Sequence, residues 1–370
     1  MQDNFAVNLL ERMLKVYSPS GKESEVANLI KDEMKKLGFK KVRFDIAGNI
    51  YGEMGNGSPT ILLCGHMDTI PGKIPVRFNN GKLYGRGAVD AKSSLAAMII
   101  ATKRAFSNSQ ELPKGRVIVA GVVDEEGRST GIRQLVNENL NVDYAIFGEP
   151  SGLCNITFAY KGRIKLRIKC STTGGHIGAQ HLYRNAIEAA FNFWKNLQER
   201  FEKEASPHGI FYSPTSVLTG IRSSRKEYNI TPESCALDID VRLPPKLKSK
   251  EAIKIIEETI KNYERLVPKI SIDLKVLDIV EPFVANRKSI LMNALSKAIK
   301  DVMGIQPTFL RKTGTGDMNL YGRIKKMPVA TYGPGNSRLS HTKNEYIEIK
   351  DYLKAIRIYE KTIVYLFNKK

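Results

Sequence analysis

Cysteine is scarce in this chain of 370 residues: Cys64, Cys154, Cys170 and Cys235 are the whole set, and no two stand at C-x-x-C spacing. That removes a thiolate metal knot and a disulfide scaffold from consideration, and the four read as reduced thiols of an intracellular protein. No apolar run reaches the 18 residues that a membrane span needs. Met1 to Val16 reads as an amphipathic helix carrying Asp3, Glu11 and Arg12 rather than as a signal peptide, so a cytoplasmic protein without membrane contact is expected. Internal repeats and low-complexity segments are absent, which excludes a solenoid and a disordered tail. Acids are outnumbered by bases, 38 to 58, for a net charge of +20. The excess is spread: residues 161–274 hold 20 basic and 13 acidic side chains, a net +7, leaving +13 for the other 256 residues. No Arg/Lys run interleaved with aromatics appears, so no nucleic-acid partner is expected. The basic surface is either plainly solvated or attractive to an acidic partner.

What is present is organised around Ile61 to Gly65 followed by His66, Met67, Asp68 and Thr69. A short apolar run without helical period reads as a buried strand, and Gly65 lets the backbone pass close to a neighbour. On a strand, residues i and i+2 share a face, so His66 and Asp68 sit side by side, as when a ligating His hands its other N–H to an acid. A His and an Asp at a strand exit also serve commonly as caps. Gly85-Arg86-Gly87-Ala88-Val89-Asp90-Ala91-Lys92 then leads into a helix over Ser93 to Phe106, with Asp90 at its start. The buried-strand pattern recurs at Val117 to Val123, before Asp124-Glu125-Glu126-Gly127, and at Tyr144 to Gly148, before Glu149-Pro150. A carboxylate cluster at one sheet edge repels itself unless cations neutralise it.

The first third alternates helix and strand. Ser20 and Glu23 have capping-box spacing before a helix ending near Lys36, strands follow at Lys41 to Ile46 and Asn49 to Glu53, and a helix is expected over Ser129 to Asn137. This is a three-layer α/β catalytic domain with a mixed sheet. From Lys161 the pattern changes to alternating basic and apolar residues, the signature of a half-exposed antiparallel strand. Strand, helix (Asn185 to about Glu204), strand (Ser216 to Ile221), strand (Cys235 to Leu243), helix (Lys250 to Glu264) and strand (Lys269 to about Leu274) follow the order of a ferredoxin-like α+β sandwich. The domains are therefore 1–160 with 275–370, and an inserted 161–274. Late in the chain a Pro328 to Thr331 strand leads into a Gly/Pro/Asn/Ser loop that could bring His341 to the same edge as the acids. Such a loop is ordinarily turn chemistry, and a lone His in it a surface residue.

Two His, His66 and His341, and four carboxylates, Asp90, Glu125, Glu126 and Glu149, make an inventory suited to two zinc ions about 3.5–4 Å apart with one acid left over as a base. These motifs, His66-Met67-Asp68-Thr69, Gly85-Arg86-Gly87-x-x-Asp90-x-Lys92, Asp124-Glu125-Glu126-Gly127, Glu149-Pro150 and Ser340-His341-Thr342, resemble in order those of the co-catalytic zinc aminoacylase and carboxypeptidase family. Acetylornithine deacetylase and succinyl-diaminopimelate desuccinylase belong to it, and the resemblance runs from about Leu9 to the C-terminus.

The resemblance implies two Zn2+ per chain, with Co2+ possible. Asp90 would bridge them, His66 and Glu149 would complete one site, and Glu126 and His341 the other. Asp68 would orient His66, Glu125 would be the general base, and the Asp90–Ala91 peptide would be cis. The inserted domain would be a lid through which the protein forms a homodimer. There His176, after Gly175, would support the oxyanion of the partner subunit, Asn229 would assist, and Arg242 would hold a substrate carboxylate. Without the resemblance, His176 reads as a surface residue and Arg242 as an ion-pair partner of Asp238 or Asp240; His181 and His208 read as surface residues.

Lys312 to Asn319, with Thr315 as a substrate contact, and the Tyr332 to His341 loop look most similar to the branch that releases lysine or ornithine from an amino-group carrier protein in lysine and arginine biosynthesis. That carrier is a small acidic protein joined through a glutamate side chain to the α-amine, and it would give the basic surface a use. Deacetylation of acetylornithine, desuccinylation and dipeptide cleavage share every ligand and stand as alternatives. A non-catalytic binder of an acidic partner is the alternative from another class; it predicts a missing base or ligand, and none is missing.

Overall fold

The computed structural model describes residues 3–107, 114–223 and 228–368. The chain divides into two compact units, Met1–Phe158 with Ala285–Leu310 and Gly316–Lys370, and Ala159–Val284 with Arg311–Thr315.

The first unit is built on a mixed sheet in the order Lys40–Phe44, Ile50–Asn56, Gly115–Val122, Thr60–His66, Tyr144–Gly148, Val329–Tyr332 and Asn155–Tyr160. The four strands in the middle of that order run parallel, and they are the apolar runs: Thr60–His66 is buried at every residue, as a strand covered on both faces must be. The register aligns His66 with Val122, Gly65 with Gly148 and Gly148 with Tyr332, so four strands end at one level. Helix Lys92–Ser107 is buried on nearly all sides, as its Ala, Met and Ile content requires. Its approach to the sheet explains two glycines: a Cβ on Gly65 would lie 3.1 Å from Leu95 Cβ, and one on Gly148 would lie 2.8 Å from Ser94 Cβ. A larger residue at either strand end would push away the helix that carries Asp90 at its entrance.

In the second unit, strand Gly162–Thr172, helix Ala186–Glu202, strands Thr215–Ser223 and Ser234–Leu243, helix Ser249–Leu266 and strand Ile270–Val280 follow one another. The sheet order is Thr215–Ser223, Ser234–Leu243, Gly162–Thr172, Ile270–Val280, all neighbours antiparallel. Buried and open residues alternate along Gly162–Thr172 and Ser234–Leu243, and the buried side chains Ile164, Leu166, Ile168, Leu237 and Ile239 pack with Phe193 and Ile256 of the two helices. Cys170 and Cys235 stand opposite one another as free thiols.

Two local expectations are corrected. The last strand of this unit runs on to Val280 rather than ending near Leu274, because a register shift between Val276 and Asp278 breaks the alternation that sequence reading follows. Ser20 and Glu23 form no capping box. Helix Ser24–Lys36 starts with no side-chain cap; Ser20 Oγ donates to Asp68 Oδ2 at 2.6 Å, and Glu23 Oε1 accepts from the N–H groups of Gly21 and Asp124. Tertiary partners outbid the helix end. The N-terminal helix spans Asp3–Lys15, and the first two positions of that expected element lie outside the described residues. Among the described residues no helix is long and apolar enough to cross a membrane.

Candidate metal centre

Every acid expected at the sheet edge, with both His, lies in the first unit. His66 ends its strand, Glu125 and Glu126 follow the strand Gly115–Val122, and Glu149 follows Tyr144–Gly148. His341 arrives on the turn after the 3₁₀ segment Ser337–Leu339. Asp124 and His341 both adopt the left-handed region, with φ of 59° and 64°, at the two turns that swing Glu125-Glu126 and His341 inward.

Asp90 is the hinge of the arrangement. Its Oδ1 lies 3.2 Å from His66 Nε2 and its Oδ2 lies 3.5 Å from His341 Nε2, one carboxylate oxygen to each imidazole. His66 Nε2 is also 3.7 Å from Glu149 Oε1, and His341 Nε2 is 2.6 Å from Glu126 Oε1. Two groups of donor atoms result, His66 with Glu125 and Glu149, and Asp90 with Glu126 and His341, each drawn within 4.8 Å. The peptide Asp90–Ala91 is cis.

Asp68 has no exposure and organises rather than faces the cluster. Its carboxylate lies 3.5 Å from His66 Nδ1 and accepts the N–H groups of Glu125 and Glu126 at 3.1 and 3.0 Å, in addition to the Ser20 hydroxyl. Burial alone would raise its pKa, yet hydrogen bonding and the charge of His66 hold it below the usual carboxylate range. Burial likewise disfavours charge on His66, but Asp68, Asp90 and Glu149 outweigh it and push its pKa well up. Glu125 goes the other way from Asp68: burial first, then repulsion from Glu149 and Asp317, push it well above the ordinary value. A half-buried acid hemmed in by other acids either protonates or is relieved by a nearby cation.

Two acids that sequence reasoning missed complete the environment. Glu345 is fully buried. Its Oε1 accepts from the N–H groups of Val89 and Asp90 at 2.9 and 3.0 Å, while Oε2 pairs with Arg86 at 2.9 Å, so it clamps the loop that presents Asp90. Removing one member of a buried pair leaves the other uncompensated. Glu345→Gln is therefore expected to destabilise the metal-free protein by about 3 kcal/mol, read as a lowered denaturation midpoint; a loss below about 1 kcal/mol would contradict the clamp. Asp317, at the start of helix Asp317–Lys325, is buried, and its pKa is pushed up to about 7 by burial and by repulsion from Asp68, against the attraction of His66. No spacing rule points to either residue; the only signal was an acid lying in a turn beside a chemistry-bearing motif.

The remaining expected residues belong to the second unit. His176 is exposed, and its Nδ1 accepts the N–H of Gly178 at 3.1 Å. Asn229 is exposed and its carbonyl accepts the N–H of Ile177. Arg242 points its fork at Asp240, Nε to Oδ1 at 2.6 Å and Nη2 to Oδ2 at 3.3 Å, while Asp238 is taken by Arg167 and Arg222. Thr315 is half-buried. His181 and His208 are exposed.

A cluster of two imidazoles and four carboxylates is chemically a divalent-cation site, and comparison with known proteins agrees. Residues 62–365 match the model of peptidase family M20/M25/M40. The LysW-lysine/LysW-ornithine hydrolase of Sulfurisphaera tokodaii is 31% identical over 98% of this chain and 96% of its own length. The LysW-lysine hydrolase of Deinococcus radiodurans is 32% identical over 95% and 94%. Among solved structures, a tripeptidase from Staphylococcus aureus superposes with a TM-score of 0.82 at 18% identity over the full length of both chains. An M20 metallo-carboxypeptidase from Sulfolobus solfataricus gives 0.79 at 20% over 98% of this chain and 99% of that one. With the carboxylate edge already in view, the chain belongs to peptidase family M20/M25/M40 and is a metal-dependent hydrolase.

Proposed function

We propose that the protein is a dinuclear zinc amidohydrolase that frees lysine or ornithine from an amino-group carrier protein by cleaving the amide between the carrier's glutamate γ-carboxyl and the α-amine. The observation that carries this is the division of Asp90 between two imidazoles with a further acid, Glu125, beside them. All the donors are imidazole nitrogens and carboxylate oxygens, which fit zinc and accommodate cobalt. In this reading His66 and Glu149 would hold one ion, Glu126 and His341 the other, with Asp90 shared between them. Bound there, such a pair supplies Lewis-acid polarisation of the amide carbonyl and a more acidic water.

The protein's own share is positioning and proton transfer. Asp68 fixes the imidazole of His66, whose Nδ1 lies 3.0 Å from the Asp68 main-chain carbonyl and 3.5 Å from its carboxylate, and, by its hold on the two successive backbone N–H groups, sets the directions in which Glu125 and Glu126 leave the turn. Glu125 takes a proton from the attacking water and returns it to the departing amine. The second unit is read as a ferredoxin-like lid and dimerisation domain. His176 of the partner subunit would donate to the developing oxyanion, a contact worth roughly 3–4 kcal/mol. Arg242 would exchange Asp240 for a substrate carboxylate, with Asn229 and Thr315 beside it. The relatives' names, which refer to LysW-linked lysine and ornithine, support the substrate class.

A mass-spectrometric assay of lysine and ornithine release from a carrier conjugate, run beside acetylornithine and succinyl-diaminopimelate, tests the assignment. The conjugate is expected to be the preferred substrate; equal or faster turnover of the small acyl compounds rejects the carrier and keeps the hydrolase. The net charge of +20 adds a second expectation. Raising ionic strength from dilute buffer to above the physiological range should lower kcat/KM for the acidic conjugate on the order of tenfold and leave small acyl substrates nearly unchanged. Equal salt responses would remove electrostatic capture from the account.

A further inference from the structure

Within the first unit, beside the Asp90 loop, lies a cavity of about 490 Å3 between the end of helix Asp3–Lys15 and the segment following Asp68. Leu14 and Val76 give it apolar walls, Lys15, Lys73, Arg86 and Lys92 also line it, and among the described residues no acid does. The four cations differ in what they have left to offer. Lys15 is paired with Glu11 at 2.7 Å. Lys92 is 1% exposed and gives Nζ–H bonds to the carbonyls of Met13 and Val16. Lys73 is exposed, lies 5.0 Å from the centre of the Tyr17 ring and joins no ion pair among the described residues.

Arg86 is the informative one. It is only 9% exposed, and it spends Nε on the carbonyl of Gly72 and Nη1 on Thr342 and Glu345, while Nη2 has no hydrogen-bond partner among the described residues. That edge is not sealed from solvent, so it stands ready to take an acceptor that enters the cavity. A planar fork suits a carboxylate, a free ammonium nearby adds charge, and aliphatic walls suit a short hydrocarbon chain; the volume is within the range of small-molecule sites.

We propose that this cavity binds a small aliphatic carboxylate, separately from the metal centre, and that occupancy is felt at Asp90 through Arg86 and Glu345. The path is short: Arg86 holds Glu345 Oε2 at 2.9 Å, and Glu345 Oε1 holds the N–H of Asp90 at 3.0 Å. An anion seated on Arg86 competes with Glu345 for the same cation and loosens the clamp on the Asp90 loop. Binding stands on the cavity alone; the effect on turnover rests on the catalytic reading of Asp90.

Calorimetric titration of the metal-loaded protein with hexanoate at constant ionic strength tests it, with hexylamine and chloride as controls. Expected are saturable one-to-one binding of hexanoate with Kd on the order of 1 mM or tighter, none of hexylamine or chloride, and binding weakened about tenfold or more in Lys73→Glu and in Val76→Trp. Absence of saturable binding overturns the site, and so does binding that neither variant weakens. With any amide substrate the enzyme turns over, hexanoate is expected to lower kcat more than it raises KM. Purely competitive inhibition would make the cavity part of the substrate site and overturn its separateness. Failure of carrier-linked substrates to turn over would bear on the proposed function and leave the titration result standing.

Discussion

Glu125→Gln is expected to cost turnover a factor of about 10² to 10⁴ while the protein keeps its full complement of metal. The substitution preserves shape and removes only the capacity to accept a proton. The measurement matters because Glu125 stands within the same ring of donor atoms as His66 and Glu149, so proximity alone would allow it to be a ligand. The two roles separate in one experiment: a base loses rate and keeps metal, a ligand loses metal. The surroundings of Glu125 also differ from those of Asp90. Its carboxyl is pushed well up by burial and by Glu149 and Asp317, whereas Asp90, equally enclosed, is held below the ordinary range because its imidazole contacts outweigh burial. Asp68 anchors the backbone N–H of Glu125 and that of Glu126 alike, so the metal measurement is what separates the two roles. Activity within a few-fold of the parent, or loss of metal in parallel with activity, would end that assignment.

Asp90→Asn should be more drastic for metal binding. Each oxygen of Asp90 faces a different imidazole, so a single side chain serves both halves of the cluster. An amide has one acceptor oxygen and an NH2 group that repels a cation, and it cannot serve two ions together. Metal content measured by elemental analysis is expected to fall from two ions per chain to one or none, and activity by roughly 10³ or more, corresponding to the several kcal/mol that a second cation contributes. Two ions still bound at parental affinity would show that Asp90 does not bridge.

The parts of the molecule legible in the amino-acid order were those whose physics is local. Thr60–His66 and Gly115–Val122 declare themselves because a strand covered on both faces must be apolar throughout, and their ends mark the functional edge because parallel strands all finish there. The alternation of Lys161 to Cys170 likewise announces a strand with one open face. Ser20 and Glu23 were misread because spacing cannot tell a helix cap from a pair of side chains claimed by Asp68 and Asp124, 48 and 101 residues away. Glu345 was invisible for the same reason in a stronger form: its partner Asp90 is 255 residues distant, and nothing in the Asn344-Glu345-Tyr346 stretch marks it. Asp317 looks like an ordinary acid in the first turn of a helix until burial beside the cluster is known.

That same separation has a consequence for how the protein is made. Glu345 leaves the ribosome 255 residues after Asp90, and His341 shortly before it, so a nascent polypeptide can complete its parallel strands and still lack both the second imidazole of the cluster and the clamp on the Asp90 loop. A product that stops short of residue 341 lacks one of the donors grouped with Asp90 and Glu126.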